Sequence, residues 1–433
     1  MSFVQSDEGA ITKPRSHPVS LALDHVRLVV VDGPDRGKSA DVPHGKARVG
    51  CAPGCHLVLS DPTVSRIHCE IGVSRQGIRL RDLQSTNGTY VDGVRIYDAE
   101  LTDGSTLRIG DTVLRTLVAR GRDVVPLAPL DRFGAIIGSS PEMRAIYAMI
   151  PRIAQSQTTT LIYGETGTGK ELVARAIHDM SPRASAPFVV LDCAGLAPGV
   201  IESDLFGHVH GAFTGAIADR PGLFEAAHQG SIFIDEIADL PLLLQPRLLR
   251  VLETRQVRRL GANASLAVDV MVIAASSSPL STHVNAGQFR EDLFYRLAVA
   301  EIELPPLRAR GNDAAEIARH FWERFAGPMQ PMPDDILGAV RARSWPGNVR
   351  ELRNFIERAT KLGVASSAGA LHKSVSTSVP VDLPLKEARR VWIEQFELLY
   401  ANAMLDRTRG NVTRAAELAG VNRRSFQRML AKK

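Results

Sequence analysis

The octapeptide Gly164–Glu171 reads GETGTGKE, the spacing of a loop that wraps phosphate oxygens. Gly164, Gly167 and Gly169 let backbone N–H groups turn toward the anion, with Glu165, Thr166 and Thr168 between them. Lys170 then reaches the β- and γ-phosphates of a nucleoside triphosphate. Asp235 and Glu236 end an apolar run and supply the second half of the chemistry. A carboxylate at a strand end holds a metal directly or through water, and its neighbour polarises the attacking water. Asp235 takes the first role and Glu236 the second. Glu171 stands where many such loops carry Ser or Thr, which leaves more of the Mg²⁺ to Asp235.

These groups need rigid supports, and the flanking patterns provide them. Thr160–Tyr163 is an apolar β run before the loop, Glu171–Met180 is helical after it, and Ser231–Ile234 (SIFI) leads into Asp235. From about residue 136 to 300, strands and helices alternate, as in an α/β sheet that places a nucleotide at its strand ends. Residues 310–363 read mainly as helix. Upstream, short β runs (Val26–Val31, His56–Leu59, Ile78–Leu80, Thr106–Ile109) separated by Gly, Asp, Asn and Pro turns predict a β-sandwich over 21–119. Residues 1–20 form a polar tail expected to be disordered. Residues 120–135 and 365–384 read as linkers and 385–433 as helix. No internal repeat is visible.

With 433 residues, 44% hydrophobic and 23% charged, the chain has material for several globular domains. The net charge of +5 is uneven, because Lys386–Lys433 holds 11 Lys/Arg against 5 Asp/Glu. A basic end on a near-neutral body points to nucleic acid there. Cys51, Cys55, Cys69 and Cys193 show no metal-binding or disulfide spacing and read as reduced thiols. No apolar run is long enough to cross a membrane, and the N-terminus lacks a signal core, so a cytoplasmic protein without membrane partners is expected.

Between the two halves of the phosphate chemistry lies GAFTGA: Gly211, Ala212, Phe213, Thr214, Gly215 and Ala216. The order of these three motifs resembles the central AAA+ domain of bacterial enhancer-binding proteins, the ATPases that activate sigma-54 RNA polymerase. The resemblance covers roughly Ile136–Val364 and implies an α/β AAA+ P-loop ATPase core over 136–305 with a helical lid over 306–364. It implies that the hexapeptide contacts sigma-54 and that Phe213 and Thr214 move as ATP is consumed. FREDLFYRL (Phe289–Leu297) places Arg290 and Arg296 as arginines reaching a neighbouring subunit's nucleotide, which implies a hexameric or heptameric ring formed from a resting dimer. WPGNVREL (Trp345–Leu352) places Arg350 as the lid arginine that senses nucleotide in cis. Two positions depart from the family. Asp192 replaces the Asn that tethers the catalytic glutamate, and a carboxylate facing Glu236 is expected to repel it. Ser276–Ser277 replaces Thr-Asn at the end of the sensor strand.

The ends carry two further resemblances. DPTVSRIHCEI (Asp61–Ile71) and LRDLQSTNGTYVDG (Leu80–Gly93) are similar to the forkhead-associated (FHA) domain, a β-sandwich that reads phosphothreonine on partner proteins. Ser65 and Asn87, with Arg66 and Thr86, would line the phosphopeptide surface, while His68 supports the loop. The family's phosphate-binding arginine is Cys51 here, and Arg48 is the candidate substitute. At the other end, NVTRAAELAGVNRRSFQRML (Asn411–Leu430) reads as a helix-turn-helix, with Gly420 in the turn. Arg423, Arg424, Ser425, Gln427 and Arg428 form the face offered to double-stranded enhancer DNA. The stretch Lys386–Leu405 resembles the dimerising helix of Fis-type domains.

The expectation is therefore a multidomain transcription activator: an FHA-like β-sandwich, an AAA+ ATPase using ATP and Mg²⁺, and an all-α helix-turn-helix. A disabled motor acting as a DNA-binding scaffold, with Asp192 and Ser277 as the lesions, and a helicase loader of the same superfamily are the competing readings. GAFTGA argues against the loader.

Overall fold

The computed structural model describes residues 20–42, 45–74, 77–195, 197–362, 387, 393, 397, 400, 401, 404, 408, 412–422 and 424–426. The expected N-terminal tail up to residue 19 and the linker 365–384 lie outside the described residues.

Alternation of apolar and polar residues builds the sandwich. Its strands are β1 (Ser20–Asp32), β2 (Ser39–Val42), β3 (Gly45–Gly50), β4 (Leu57–Val58), β5 (Cys69–Ser74), β6 (Gly77–Asp82), β7 (Thr89–Val91), β8 (Val94–Ile96), β9 (Asp98–Leu101), β10 (Thr106–Ile109) and β11 (Thr112–Pro126). One sheet runs β2-β1-β11-β10-β7-β8 and the other β4-β3-β5-β6-β9. Val26, Leu28 and Val30 from β1 meet Val49, Ile71, Leu80 and Leu107 in a shared core, as a period of two requires. Strand β11 continues to Pro126, where it pairs with Ser20. The segment expected as a linker from residue 120 thus begins inside the sandwich, because β1 supplies a partner for its backbone groups.

After a short hairpin, β12 (Arg132–Phe133) with β13 (Ile136–Ile137), the α/β domain begins. Its parallel sheet contains β14 (Thr160–Tyr163), β15 (Phe188–Asp192), β16 (Ser231–Asp235), β19 (Met271–Ser276) and β20 (Ala300–Glu303), in the order β15-β16-β19-β14-β20. A minor pair, β17 (Gln256–Val257) and β18 (Leu266–Ala267), stands apart. Both faces of the central strands β14, β16 and β19 are covered, so these strands are buried along almost their whole length, whereas the edge strands β15 and β20 carry exposed positions. Ile162, Phe233, Ile273 and Ala275 point to α1 (Pro141–Ser156) and α2 (Lys170–Asp179). Leu161, Ile232, Ile234 and Ala274 point to the opposite core. That core is closed by α3 (Pro198–Phe206), α4 (Leu223–Ala226), α5 (Gln245–Thr254), α6 (Leu280–Asn285) and α7 (Glu291–Leu297). Three helices follow: α8 (Asp313–Ala326), α9 (Asp334–Arg341) and α10 (Asn348–Leu362). Trp345 is buried there, with its indole N–H donating to Val340 O at 2.9 Å and its ring 5.4 Å from Phe355.

A second compact unit comprises 364–433. Among its described residues, helix Val412–Leu418 ends at Gly420 (φ 67°), a left-handed position suited to glycine. Asn422 Oδ1 then accepts from Ser425 N at 2.8 Å, and Phe426 is buried with Ala401 and Ala416. Arg424 is exposed, whereas Arg423, Gln427 and Arg428 lie outside the described residues.

Candidate functional site

The phosphate loop joins β14 to α2, and its glycines are required by geometry. Gly167 (φ 80°) and Gly169 (φ 103°) occupy the left-handed region. A Cβ on Gly167 would stand 2.5 Å from Gly347 O and 3.0 Å from Arg350 Cβ, so the loop lies directly under the start of α10. Val349 N donates to Gly167 O at 2.9 Å, and Asn348 Nδ2 donates to Thr166 O at 3.1 Å. Arg310, buried, donates to Thr168 O at 2.9 Å. Glu165 pairs with Arg308 at 2.5 Å, and this hydrogen bond holds its carboxyl down to about 2 against the opposing effect of burial. The lid therefore straps the loop from several sides. Glu171, by contrast, is exposed.

Lys170 is only 7% exposed and donates to Gly164 O and to Glu236 Oε1, both at 3.1 Å. Glu236 follows β16 in a left-handed conformation (φ 47°), a costly backbone state for a residue with a Cβ. Its other carboxylate oxygen accepts from Ser277 N at 2.9 Å and Ser277 Oγ at 2.8 Å. Burial pushes the Glu236 carboxyl up, but the hydrogen bonds from Ser277 and the charge of Lys170 outweigh it and hold the group below the ordinary glutamate range. Asp235, beside it, is shifted the other way by burial, with the charges of Glu236 and Asp192 adding to the rise.

The expected clash between Asp192 and Glu236 takes a different form. Asp192 is exposed and accepts from Ala194 N at 2.9 Å, while its strand pairs it with Asp235. The tether on Glu236 comes from Ser277, just past the end of β19, rather than from position 192, where the family carries its Asn. The signal in the sequence was Ser276–Ser277 itself, at the end of the sensor strand; the pairing of β19 with β16 is what brings it to Glu236.

Arg290 caps the entry to α7 and forms a double ion pair with Asp292, at 2.6 and 3.0 Å. Arg296 donates to Leu252 O at 3.3 Å. The hexapeptide forms a compact turn on the same domain. Gly211 (φ 77°) and Gly215 (φ 108°) allow the reversal, and Gly211 N donates to Ala216 O at 2.9 Å. Ala216 is buried and anchors the base. Phe213 is 45% exposed, with its ring edge-on to His208 at 5.0 Å, and Thr214 lies beside it at the exposed tip. Ala212 packs so close to Gly261 that a Cβ there would stand 2.9 Å away.

On the sandwich, Ser65, Thr86 and Asn87 come together. Thr86 N donates to Ser65 Oγ at 3.0 Å, and Asn87 Nδ2 donates to Thr63 O at 2.7 Å. Buried His68 accepts from Ser65 N at 3.0 Å and reaches Gly88 O at 3.2 Å, fixing both loops. Cys51 is exposed beside them, its N–H donating to Ser65 O at 3.1 Å. Gly50 permits this approach, since a Cβ there would sit 2.2 Å from Arg66 O. Arg48 does not join the edge. It is 5% exposed, with its guanidinium 2.6 Å from Glu301 and 4.8 Å from the Phe294 ring centroid. Strand alternation turns it away from the loops and into the ATPase domain, so it does not replace the missing arginine. Arg66 pairs with Glu291.

Comparison with known proteins follows the same division. Residues 136–303 match the sigma-54 interaction domain, 308–372 the AAA+ ATPase lid domain and 47–110 the FHA domain. The transcriptional regulatory protein ZraR of Klebsiella oxytoca is 42% identical over 310 residues, covering 70% of this chain and 70% of that protein. This chain belongs to the sigma-54-dependent transcriptional regulators. The nitrogen fixation protein VnfA of Azotobacter vinelandii, 45% identical over 377 residues, covers 85% of this chain and 70% of its own length. A crystal structure of NtrX from Brucella abortus in complex with ATP aligns with a TM-score of 0.51 and 36% identity, over 70% of this chain and 69% of that one. This regulator is an AAA+ ATPase that acts on sigma-54, and it carries an FHA domain. The scaffold reading loses its basis, because neither Asp192 nor Ser277 dismantles the Lys170–Glu236 pair. Among the described residues, no helix is long and apolar enough to cross a membrane.

Proposed function

We propose that this regulator assembles into a hexameric or heptameric ring from a resting dimer, hydrolyses ATP between subunits, and drives the Phe213–Thr214 tip against sigma-54 to open promoters. The observation that carries this reading is the convergence of Lys170, at the start of α2, with Glu236 and Ser277, just past the ends of the neighbouring strands β16 and β19. Backbone N–H groups of Gly164–Lys170 hold the phosphates and Lys170 neutralises them. Glu236, kept ionised by Ser277, orients a water and takes its proton. Arg290 and Arg296, supplied by a neighbour, stabilise charge on the γ-phosphate, and Arg350 at the loop reports its presence to the lid.

The donor set also suits Mg²⁺. Asp235 sits among carboxylates whose mutual repulsion a divalent cation would relieve. Among the described residues, no group of three His, Cys, Asp or Glu could hold a metal alone, so phosphate oxygens would complete the shell. Bound there with Asp235, the ion supplies charge neutralisation for the phosphates.

Enhancer DNA is the proposed ligand of the C-terminal unit through Arg423, Arg424, Ser425, Gln427 and Arg428. A phosphothreonine-bearing protein is the proposed ligand of Ser65, Arg66, Thr86 and Asn87. Open-complex formation with sigma-54 polymerase, comparing wild type with Lys170→Ala and Thr214→Ala, tests the reading. Wild type opens the promoter and neither variant does.

A further inference from the structure

The sandwich is seated on the helix that carries the trans-acting arginine. Asn285, the last residue of α6, donates its side-chain amide to Ile67 O at 2.5 Å and to Leu83 O at 2.7 Å. Ala52, Cys55, Ile67 and Leu83 pack into the ATPase core rather than into the sandwich's own core. A Cβ on Gly54 would overlap the Tyr295 ring at 2.2 Å. Arg66 pairs with Glu291, whose side chain is 14% exposed, and Arg48 pairs with Glu301. A cleft of about 490 Å³ separates the two parts here, with Arg66 on one wall and Arg290 on the other.

We propose that this seating is a brake, and that a phosphothreonine segment releases it by competing with Glu291 for Arg66. The proposal rests on the phosphothreonine reading of the Ser65–Asn87 edge. Arg66 follows Ser65 of the reading edge in the chain, and its side chain, held on Glu291, is 67% exposed and within a rotamer change of that edge. A phosphate dianion offers a guanidinium more acceptor oxygens and more charge than a carboxylate does. Once Arg66 turns to phosphate, Glu291 is left nearly buried without a counter-ion, which disfavours the seated arrangement. Release frees the entry of α7, with Arg290, to meet a neighbouring subunit. The chemical signal thus acts through ring assembly rather than through the nucleotide loop.

The test uses the full chain and its Asn285→Ala and Glu301→Gln variants, which break the seating without touching the reading edge or the phosphate loop. Binding of an oriented pool of phosphothreonine peptides, with the unphosphorylated pool as reference, is measured alongside ATP turnover against protein concentration. Each variant is expected to bind the phosphorylated pool about fivefold or more tighter than wild type, since seating no longer withholds the competent state. Each also reaches half-maximal turnover at several-fold lower protein concentration. The phosphorylated pool produces the same fall in wild type and no further fall in the variants. Equal peptide affinity in all three proteins, with unchanged concentration dependence, overturns the brake alone. Absence of binding by every protein overturns the phosphothreonine reading and the competition with it.

Discussion

The nucleotide loop and the phosphothreonine edge both present short polar groups and backbone N–H groups to a phosphate, yet they are built to different depths. The loop is clamped under the lid by Asn348, Val349 and Arg310, and its cation, Lys170, is buried on Glu236. The edge is positioned by a buried histidine but holds no arginine of its own facing the ligand. Cys51 occupies that place, and the two nearby arginines are committed to Glu291 and Glu301. A preorganised site catalyses because its charges need no rearrangement at the moment of reaction. A site whose cation must first leave another partner switches instead.

The largest break in that comparison is expected at the clamped site. Lys170→Ala or Glu236→Gln should lower ATP turnover by about a hundredfold or more, with Glu236→Gln retaining nucleotide binding, as steady-state kinetics and nucleotide titration will show. At the looser site, Cys51→Arg should sharpen phosphopeptide binding. A charge-assisted contact of about 2 kcal/mol corresponds to roughly thirtyfold in Kd, readable by peptide anisotropy.

Ser277→Ala should have a smaller effect. It removes one of the two hydrogen bonds from Ser277 to Glu236, about 1 kcal/mol or roughly fivefold in kcat, with little change in KM. The sign in pH follows from the depressed pKa of Glu236. Losing a donor to the carboxylate raises that pKa, so the acid limb of the pH–rate profile moves to higher pH. The smallest effect belongs to the lid strap. Glu165 and Arg308 are nearly half exposed, so Arg308→Gln should cost less than about 1 kcal/mol in denaturant unfolding. Because the Glu165 carboxyl is lowered from 4.5 to about 2, that contribution is present above 4.5 and is lost as pH falls through about 2.

What could be read in advance was whatever is contiguous in the chain. Gly164–Glu171, Asp235–Glu236 and Gly211–Ala216 are short motifs whose chemistry depends on neighbours in sequence, and the apolar runs beside them show which strands carry them. The tether from Ser277 to Glu236 spans 41 residues and depends on strand order, which no local pattern specifies. Arg48 illustrates a second limit. Alternation along β3 says that it faces opposite to its neighbours, but not that an ATPase domain covers that face. The continuation of β11 to Pro126 is a third, since polar residues at 120–123 resemble a linker until β1 is found opposite them.

The central claim, that ATP hydrolysis moves the Phe213–Thr214 tip against sigma-54, is tested most directly by measuring Thr214→Ala in two assays at once. It should hydrolyse ATP at close to the wild-type rate while failing to convert a sigma-54 closed complex into an open one. Promoter opening by Thr214→Ala at the wild-type level would contradict the account.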